Sequence, residues 1–324
     1  MDAQTEIRRP IEPELAQYRT LFLRTLEHPN ALLRVALDHL VKRQGKLMRP
    51  VLTILAARYA GQCTEAVLHA AVALELLHTA SLVHDDVVDE SDRRRGQQSV
   101  NALLDNKVAV LVGDFLLSKA LEHAARTGSP RVVQWVAELG QTLADGELQQ
   151  LANTESEVLS EEAYYEVVRK KTASLFVCCA RIGAFLGGGT EEDVERMAAF
   201  GDGLGVCFQL RDDIFDYDRV NEAGKPTGND LKEGKLTLPV LHAVTRGGDA
   251  RQMRVALKVR QGEATEAEME ALVAYTRKQG GIDYAARAMD RYAREAVALL
   301  DEKRDPTIVG SLKSYVNFVA SRSV

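Results

Sequence analysis

Two short stretches gather carboxylates at spacings that could do chemistry. In "SLVHDDVVDESDRRRG", Asp85 and Asp89 stand four residues apart. On a helix that puts them about 40° from each other and one turn apart, so both point to the same side. Asp86 lies about 100° away and reads as a supporting residue. "FQLRDDIFDY" repeats the arrangement with Asp212 and Asp216, and Asp213 takes the offset place. Carboxylates this close repel one another, and buried ones need counter-charge. Oxygen ligands with neither thiolate nor paired imidazole favour Mg²⁺ or Mn²⁺ over zinc. Mg²⁺ keeps an octahedral oxygen shell that it usually shares with substrate phosphates. One such pattern is as readily a solvated helix end. Two, each ending an apolar helix, point to a metal–phosphate site between helices.

Positive groups accompany them. Lys46 and Arg49 in "QGKLMRP" are three apart, which predicts one helical face. Arg94 and Arg95 close the first acidic cluster, and "RKKTASLF" supplies Lys171 and Thr172. "GKPTGNDLKEGKLTLP" supplies Lys225, Lys232 and Lys235. Lys170 and Lys232 read as solvated surface charges. For the others, arginine offers phosphate a planar fork and lysine a compact charge. His78 and His84 flank the first cluster, and His84 reads as structural. No GxxxxGK[ST] loop, no GxGxxG after a strand and no GxSxG turn is present, and "GDGLG" reads as close helix packing.

The elements that must position these groups have helical period nearly throughout. Val67, Leu68, Ala71, Leu74, Leu77 and Leu82 form a broad apolar stripe over 65–86. The pattern continues through 108–125, 131–152, 161–186, 191–218 and the tail 262–324. Breaks fall at "RTGSP", "LGGGT" and "NEAGKPTGND". Strand signals are weak. The chain has 324 residues, 46% apolar and 27% charged, and only 8 prolines, which favours long helices. Length alone argues for about two domains, but no linker interrupts 31–220, so one all-α bundle over 1–324 is predicted. A net charge of −6 argues against nucleic acid as partner. The 4 cysteines show no CxxC spacing and read as free thiols in a reducing compartment. No secretory signal is visible at the start and no run approaches a spanning helix, since "VAVLVGDFLL" is cut by Gly113 and Asp114. The expectation is a cytoplasmic protein with peripheral membrane contact left open.

Taken in order over about 45–240, "GKLMRP", "ELLHTASLVHDDVVDESDRRRG", "KTASLF", "FQLRDDIFDY" and "GKPTGNDLKEGKLTLP" resemble the motifs of trans-isoprenyl diphosphate synthases, the polyprenyl synthetase family. The first cluster looks most like the long-chain branch that makes quinone side chains of octaprenyl type. The resemblance implies an all-α bundle of isoprenoid synthase type around a central cavity, with the aspartate motifs facing each other at its mouth. It implies three Mg²⁺ ions, with Mn²⁺ as a substitute: Asp85 and Asp89 as ligands of two, Asp212 of the third, and Asp213 and Asp216 in support. By the same resemblance Arg94, Lys171, Thr172, Gln209 and Lys225 clamp an allylic prenyl diphosphate. Lys46, Arg49, His78 and Arg95 match the isopentenyl diphosphate site. "RRRG" departs from the usual pattern, and Arg93 has no assigned role. Asp85, Asp89, Arg94 and Lys171 are then the catalytic set of a prenyltransferase that condenses isopentenyl diphosphate onto farnesyl or geranylgeranyl diphosphate. The family is usually dimeric, and the "VAVLVGDFLL" helix is a candidate contact.

Leu74, Leu77, Ala80 and Ser81 precede the first aspartate, each turn deepening the site by about 5.4 Å. In this family large aromatics one turn above the aspartates shorten the product. Small Ala80 and Ser81 let a growing chain pass, or merely permit helix packing. An octaprenyl product is expected, with a shorter-chain synthase as the alternative. A terpene cyclase is disfavoured by the second DDxxD and by Lys46, Arg49 and Arg95. A non-catalytic subunit of a heteromeric synthase is disfavoured because no clamp residue is missing.

Overall fold

The computed structural model describes residues 3–42, 45–94, 96–156, 158–217 and 228–321. The predicted sites Arg95 and Lys225 lie outside them. The described chain is almost wholly helical. Its helices are α1 (Ala3–Arg8), α2 (Glu12–Thr25), α3 (Ala31–Lys42), α4 (Met48–Ala60), α5 (Glu65–Val88), α6 (Val100–Leu103), α7 (Asn106–Arg126), α8 (Pro130–Glu155) and α9 (Glu161–Val168). One turn of π-helix, Arg169–Ala173, joins α9 to α10 (Ser174–Leu186). There follow α11 (Glu191–Phe215), α12 (Asn229–Lys232), α13 (Leu238–Gly247), α14 (Ala250–Arg260), α15 (Glu266–Lys278), α16 (Gly281–Ala298) and α17 (Pro306–Ser321). Among the described residues the only strands are β1 (Arg93–Arg94) and β2 (Gln97–Gln98), an antiparallel pair inside the arginine cluster.

Local chemistry explains the boundaries. The breaks read at 126–130 and 186–190 separate α7 from α8 and α10 from α11. Asp105 caps α7 by accepting the Val108 N–H at 2.8 Å, and Ser99 and Ser160 cap α6 and α9 in the same way. Thr265 and Glu268 form a reciprocal capping box on α15. Pro130 and Pro306 open α8 and α17, where a missing N–H costs nothing.

The chain divides into two compact units. The first holds the described parts of Met1–Gln141, Leu175–Gly201 and Leu300–Ser314. At its centre α5 packs chiefly against α7 and also against α4 and α2. Val67, Leu74, Leu76, Leu77 and Val83 of α5 are buried, as is nearly all of α4 from Pro50 to Ala57. Burying each such aliphatic side chain contributes about 1.5–3 kcal/mol. One sequence expectation needs correction here. α5, at 24 residues, is long and apolar enough by composition to cross a membrane. It is apolar around most of its girth because other helices of this unit surround it. The same interior holds a polar triad: His69 of α5 and His123 of α7 meet Nδ1 to Nδ1 at 2.9 Å, and His123 Nε2 meets the Thr25 hydroxyl of α2 at 2.9 Å.

The second unit holds the described parts of Thr142–Ser174, Asp202–Leu299 and Tyr315–Val324. Its core contains Tyr217, Leu231, Val240, Val244, Val259 and Leu272. α13 packs against α15 and α16 around it.

Candidate active site

In the first unit α5 carries the leading acidic set to its C-terminal end. Asp85 and Asp86 lie in the last turn, and Asp89 is the C-cap, its N–H bonded to the Asp85 carbonyl at 2.8 Å. Asp85 is half-buried and Asp89 exposed. Asp86 is 2% exposed, and its Oδ1 accepts the Arg94 Nε–H at 2.6 Å. The offset aspartate therefore orients the arginine of β1. The turn between them is fixed by Asn101, which donates to the carbonyls of Asp86 and Ser91, and by Ser99, which donates to Ser91 at 2.6 Å. His78, Thr79, Leu82 and Asp86 line a cavity of about 70 Å³ with Gly45, Arg94 and an apolar wall from α2 and α3. His84 turns elsewhere: its Nε2 sits 3.2 Å from the Val110 carbonyl and 3.5 Å from Asp114. It fills the space above Gly113, where a Cβ would come within 2.1 Å of the imidazole. His84 is structural, as its sequence context predicts.

Lys46 departs from the sequence reading. It precedes α4, which begins at Met48, so it shares no helical face with Arg49. Leu47 between them takes the left-handed conformation, φ 46° and ψ 34°, which turns the chain before the helix starts. Arg49 is half-buried over the Phe176 ring, 5.8 Å from its centroid. Its Nε is buried with no hydrogen-bond partner among the described residues, as a donor awaiting an anion would be. Along α5, Leu74 and Ser81 share the face of Asp85, Leu77 is about 80° round and Ala80 about 140°. Leu74, Leu77 and Ala80 are buried and Ser81 half-buried.

In the second unit α11 ends at Phe215, with Asp212 and Asp213 in its last turn and Asp216 just beyond. Asp216 is engaged by backbone: its carboxylate accepts the N–H groups of Asn229 and Asp230, 3.0 Å each, at the start of α12. Asp213 is 1% exposed and tied into a chain in which Tyr164 and Gln209 donate to its carboxylate and Thr172 donates to Gln209 at 2.8 Å. Burial pushes the Asp213 carboxyl up to about 7, and Asp212 and Asp216 add to that. Burial likewise pushes Asp230 up to about 8, reinforced by Asp213 and Asp216. Both supporting aspartates of the second motif are thus committed to holding its shape.

Lys171 and Thr172 ride on the π turn, a feature that helical periodicity over 161–186 does not reveal. Lys171 Nζ pairs with Glu147 of α8 and donates to Gln150 Oε1 at 2.9 Å. Lys170, read from sequence as solvated, instead bonds Asp145 and Glu166 at 2.9 Å each and Gln149 at 2.5 Å. Gly146 makes this possible: a Cβ there would meet Lys170 Cβ at 2.8 Å and Lys171 Cγ at 2.9 Å. Lys232 is exposed, as expected. Glu147, Gln150, Tyr164 and Asp230 were not singled out in the sequence. The glycine between acids and glutamines in "DGELQQ" was the available signal.

Both aspartate sets sit at helix C-termini, and neither α5 nor α11 has a basic residue in its last turn. The helix dipole places partial negative charge at that end, so carboxylates there are disfavoured unless a cation joins them. Among the described residues no three His, Cys, Asp or Glu side chains form a metal-holding group by themselves. Oxygen donors too few to complete a shell fit a hard divalent ion that takes its remaining ligands from phosphate and water.

The family model for polyprenyl synthetase matches residues 30–276. Octaprenyl diphosphate synthase of Haemophilus influenzae is 37% identical over 91% of this chain and 90% of its own length. The crystal structure of geranylgeranyl pyrophosphate synthase from Bacteroides thetaiotaomicron is 44% identical, with a TM-score of 0.86 over 99% of this chain and all of that one. A polyprenyl synthase from Caulobacter crescentus CB15, complexed with calcium and isoprenyl diphosphate, is 33% identical, with a TM-score of 0.90 over 98% of each chain.

Proposed function

The chain belongs to the polyprenyl synthetase family and is a prenyltransferase of the isoprenoid synthase fold that elongates prenyl chains, and we propose that it extends farnesyl or geranylgeranyl diphosphate with isopentenyl diphosphate to a long product of octaprenyl type. The observation that carries this is the pair of acidic helix ends lacking basic residues, each accompanied in its own unit by cationic side chains. The family uses divalent metal, and the Caulobacter relative carries calcium. In this chain Mg²⁺ is the ion proposed, three per site, with Asp85, Asp89 and Asp212 as its protein ligands. When bound it neutralises the charge that collects on a departing diphosphate.

The chain's own residues do the rest. Arg94, oriented by Asp86, and Lys171, Thr172 and Gln209 grip the allylic diphosphate; Lys225 joins them by family resemblance alone. The C1–O bond breaks and its electron pair leaves with pyrophosphate. The clamp is matched to charge that grows as this happens, which is where preorganised donors lower a barrier. Lys46, Arg49 and His78, with Arg95 by resemblance, hold isopentenyl diphosphate. Its π pair forms the new C–C bond, and the proton then lost goes to released pyrophosphate.

Val110, Leu111, Leu117 and Leu121 stand exposed on α7, Leu111 at 66%. Val110, Leu117 and Leu121 fall on one side of α7, and exposed apolar residues on one side support a homodimer formed through α7. A cytoplasmic location, with product delivered at a membrane surface, completes the proposal. Incubating the protein with labelled isopentenyl diphosphate, farnesyl diphosphate and Mg²⁺ tests it. Polyprenyl diphosphate and free pyrophosphate are expected. Cyclised hydrocarbon or no turnover would refute the assignment.

A further inference from the structure

Lys171, a proposed diphosphate ligand, already has an anionic partner within the protein, as Arg94 has in Asp86. Its Nζ contacts a Glu147 carboxylate oxygen and also donates to Gln150 at 2.9 Å. The pair is partly shielded, with 25% of the lysine and 17% of the glutamate side chain exposed. The contact is built rather than incidental. Lys171 sits on a π turn, which redirects its side chain relative to a continuous α-helix, and it approaches α8 over Gly146, where any larger residue would collide. Its neighbour Lys170 is fastened to the same stretch of α8, on Asp145 and Gln149. The π turn is therefore held on α8 by Lys170, while Lys171 is held by one carboxylate and one amide oxygen.

An ammonium has three donors and no acceptor. A diphosphate offers several charged oxygens to a single carboxylate's two, so it outcompetes Glu147 for Lys171. The exchange leaves Glu147 without its counter-ion and close to an anion. That cost recurs in every cycle and is recovered when pyrophosphate leaves and Lys171 returns.

We infer that Glu147 is a positioning residue that acts through Lys171: it parks the lysine between turnovers, competes with the incoming diphosphate, and speeds release of pyrophosphate by taking the lysine back. This rests on the reading of Lys171 as a diphosphate clamp, and the experiment separates the two. Inorganic pyrophosphate with Mg²⁺ is titrated calorimetrically into the full chain and into Glu147→Gln, Glu147→Asp, Asp145→Asn and Lys171→Gln, with steady-state kinetics on each. For a partly exposed ion pair Glu147→Gln is expected to tighten pyrophosphate binding about two- to fivefold. It should lower both kcat and the allylic KM, as slowed product release requires. Glu147→Asp should restore the ordinary values. Asp145→Asn, which removes an equal charge from the Lys170 contact, should leave them near the parent's. Unchanged or weaker binding in Glu147→Gln, or equal tightening in Asp145→Asn, overturns the inference while the clamp reading stands. Unchanged binding in Lys171→Gln overturns the clamp reading itself.

Discussion

Asp86 and Arg94 form a 2.6 Å hydrogen bond between a carboxylate that is almost fully buried and a guanidinium that is about a third exposed. The buried partner fixes the position and the exposed one faces outward. Asp86→Ala releases Arg94 from its orientation without touching Asp85 or Asp89. A misplaced clamp costs about 10- to 100-fold in kcat/KM, and the loss should appear in kcat as well as in the KM for the allylic diphosphate. Kinetics with that substrate varied at fixed isopentenyl diphosphate would check this. An unchanged KM would detach Asp86 from substrate binding.

The His69–His123 contact gives a stability prediction with a definite sign. An N–H···N bond needs one unprotonated acceptor nitrogen. Burial, with His69 alongside, lowers His123 to about 4, and burial lowers His69 too. The folded state thus binds fewer protons than the unfolded chain. The stability this contributes is whole above the unfolded histidine value near 6.5 and is lost as pH falls from there through about 4. The loss from His123 amounts to roughly 2–4 kcal/mol. Urea unfolding at pH 7 and pH 5 should show it, and His123→Gln should flatten the slope. Parallel pH profiles in both proteins would dismiss the histidine pair as the cause.

Ser81 lies one turn before Asp85 on its face, whereas Ala80 lies well round the helix. Ser81→Phe should therefore shorten the principal product more than Ala80→Phe does, by one or more isoprene units. Mass spectrometry of the dephosphorylated products measures it. Equal product length in both variants and the parent would mean that this part of α5 does not border the growing chain.

The exposed leucines of α7 predict assembly. Leu117→Glu combined with Leu121→Glu should convert a dimer to a monomer with secondary structure intact, measured by light scattering and circular dichroism. A parent protein that is already monomeric would remove the proposal.

Much of this was legible in the sequence because it depends on near neighbours. The spacing of Asp85 and Asp89 and the breaks at 126–130 and 186–190 are local patterns that tertiary packing left alone. Lys46 and Arg49 were misread because three-residue spacing assumes a helix, and the left-handed Leu47 starts that helix later. Lys170 was misread because its partners at 145 and 149 are on a different helix. The π turn was illegible, since one inserted residue barely alters apolar periodicity. Asp230 escaped notice because its neutral-leaning carboxyl is a product of burial beside Asp213 and Asp216, which only the folded chain brings about.

The placement of acid at the ends of α5 and α11 bears on how the protein breathes. Those final turns have carbonyls and carboxylates pointing the same electrical way, so each is a natural point for fraying. Divalent cations and diphosphate should stitch them shut, and backbone amides near Asp85 and Asp212 should then exchange hydrogen far more slowly in the loaded protein than in the bare one.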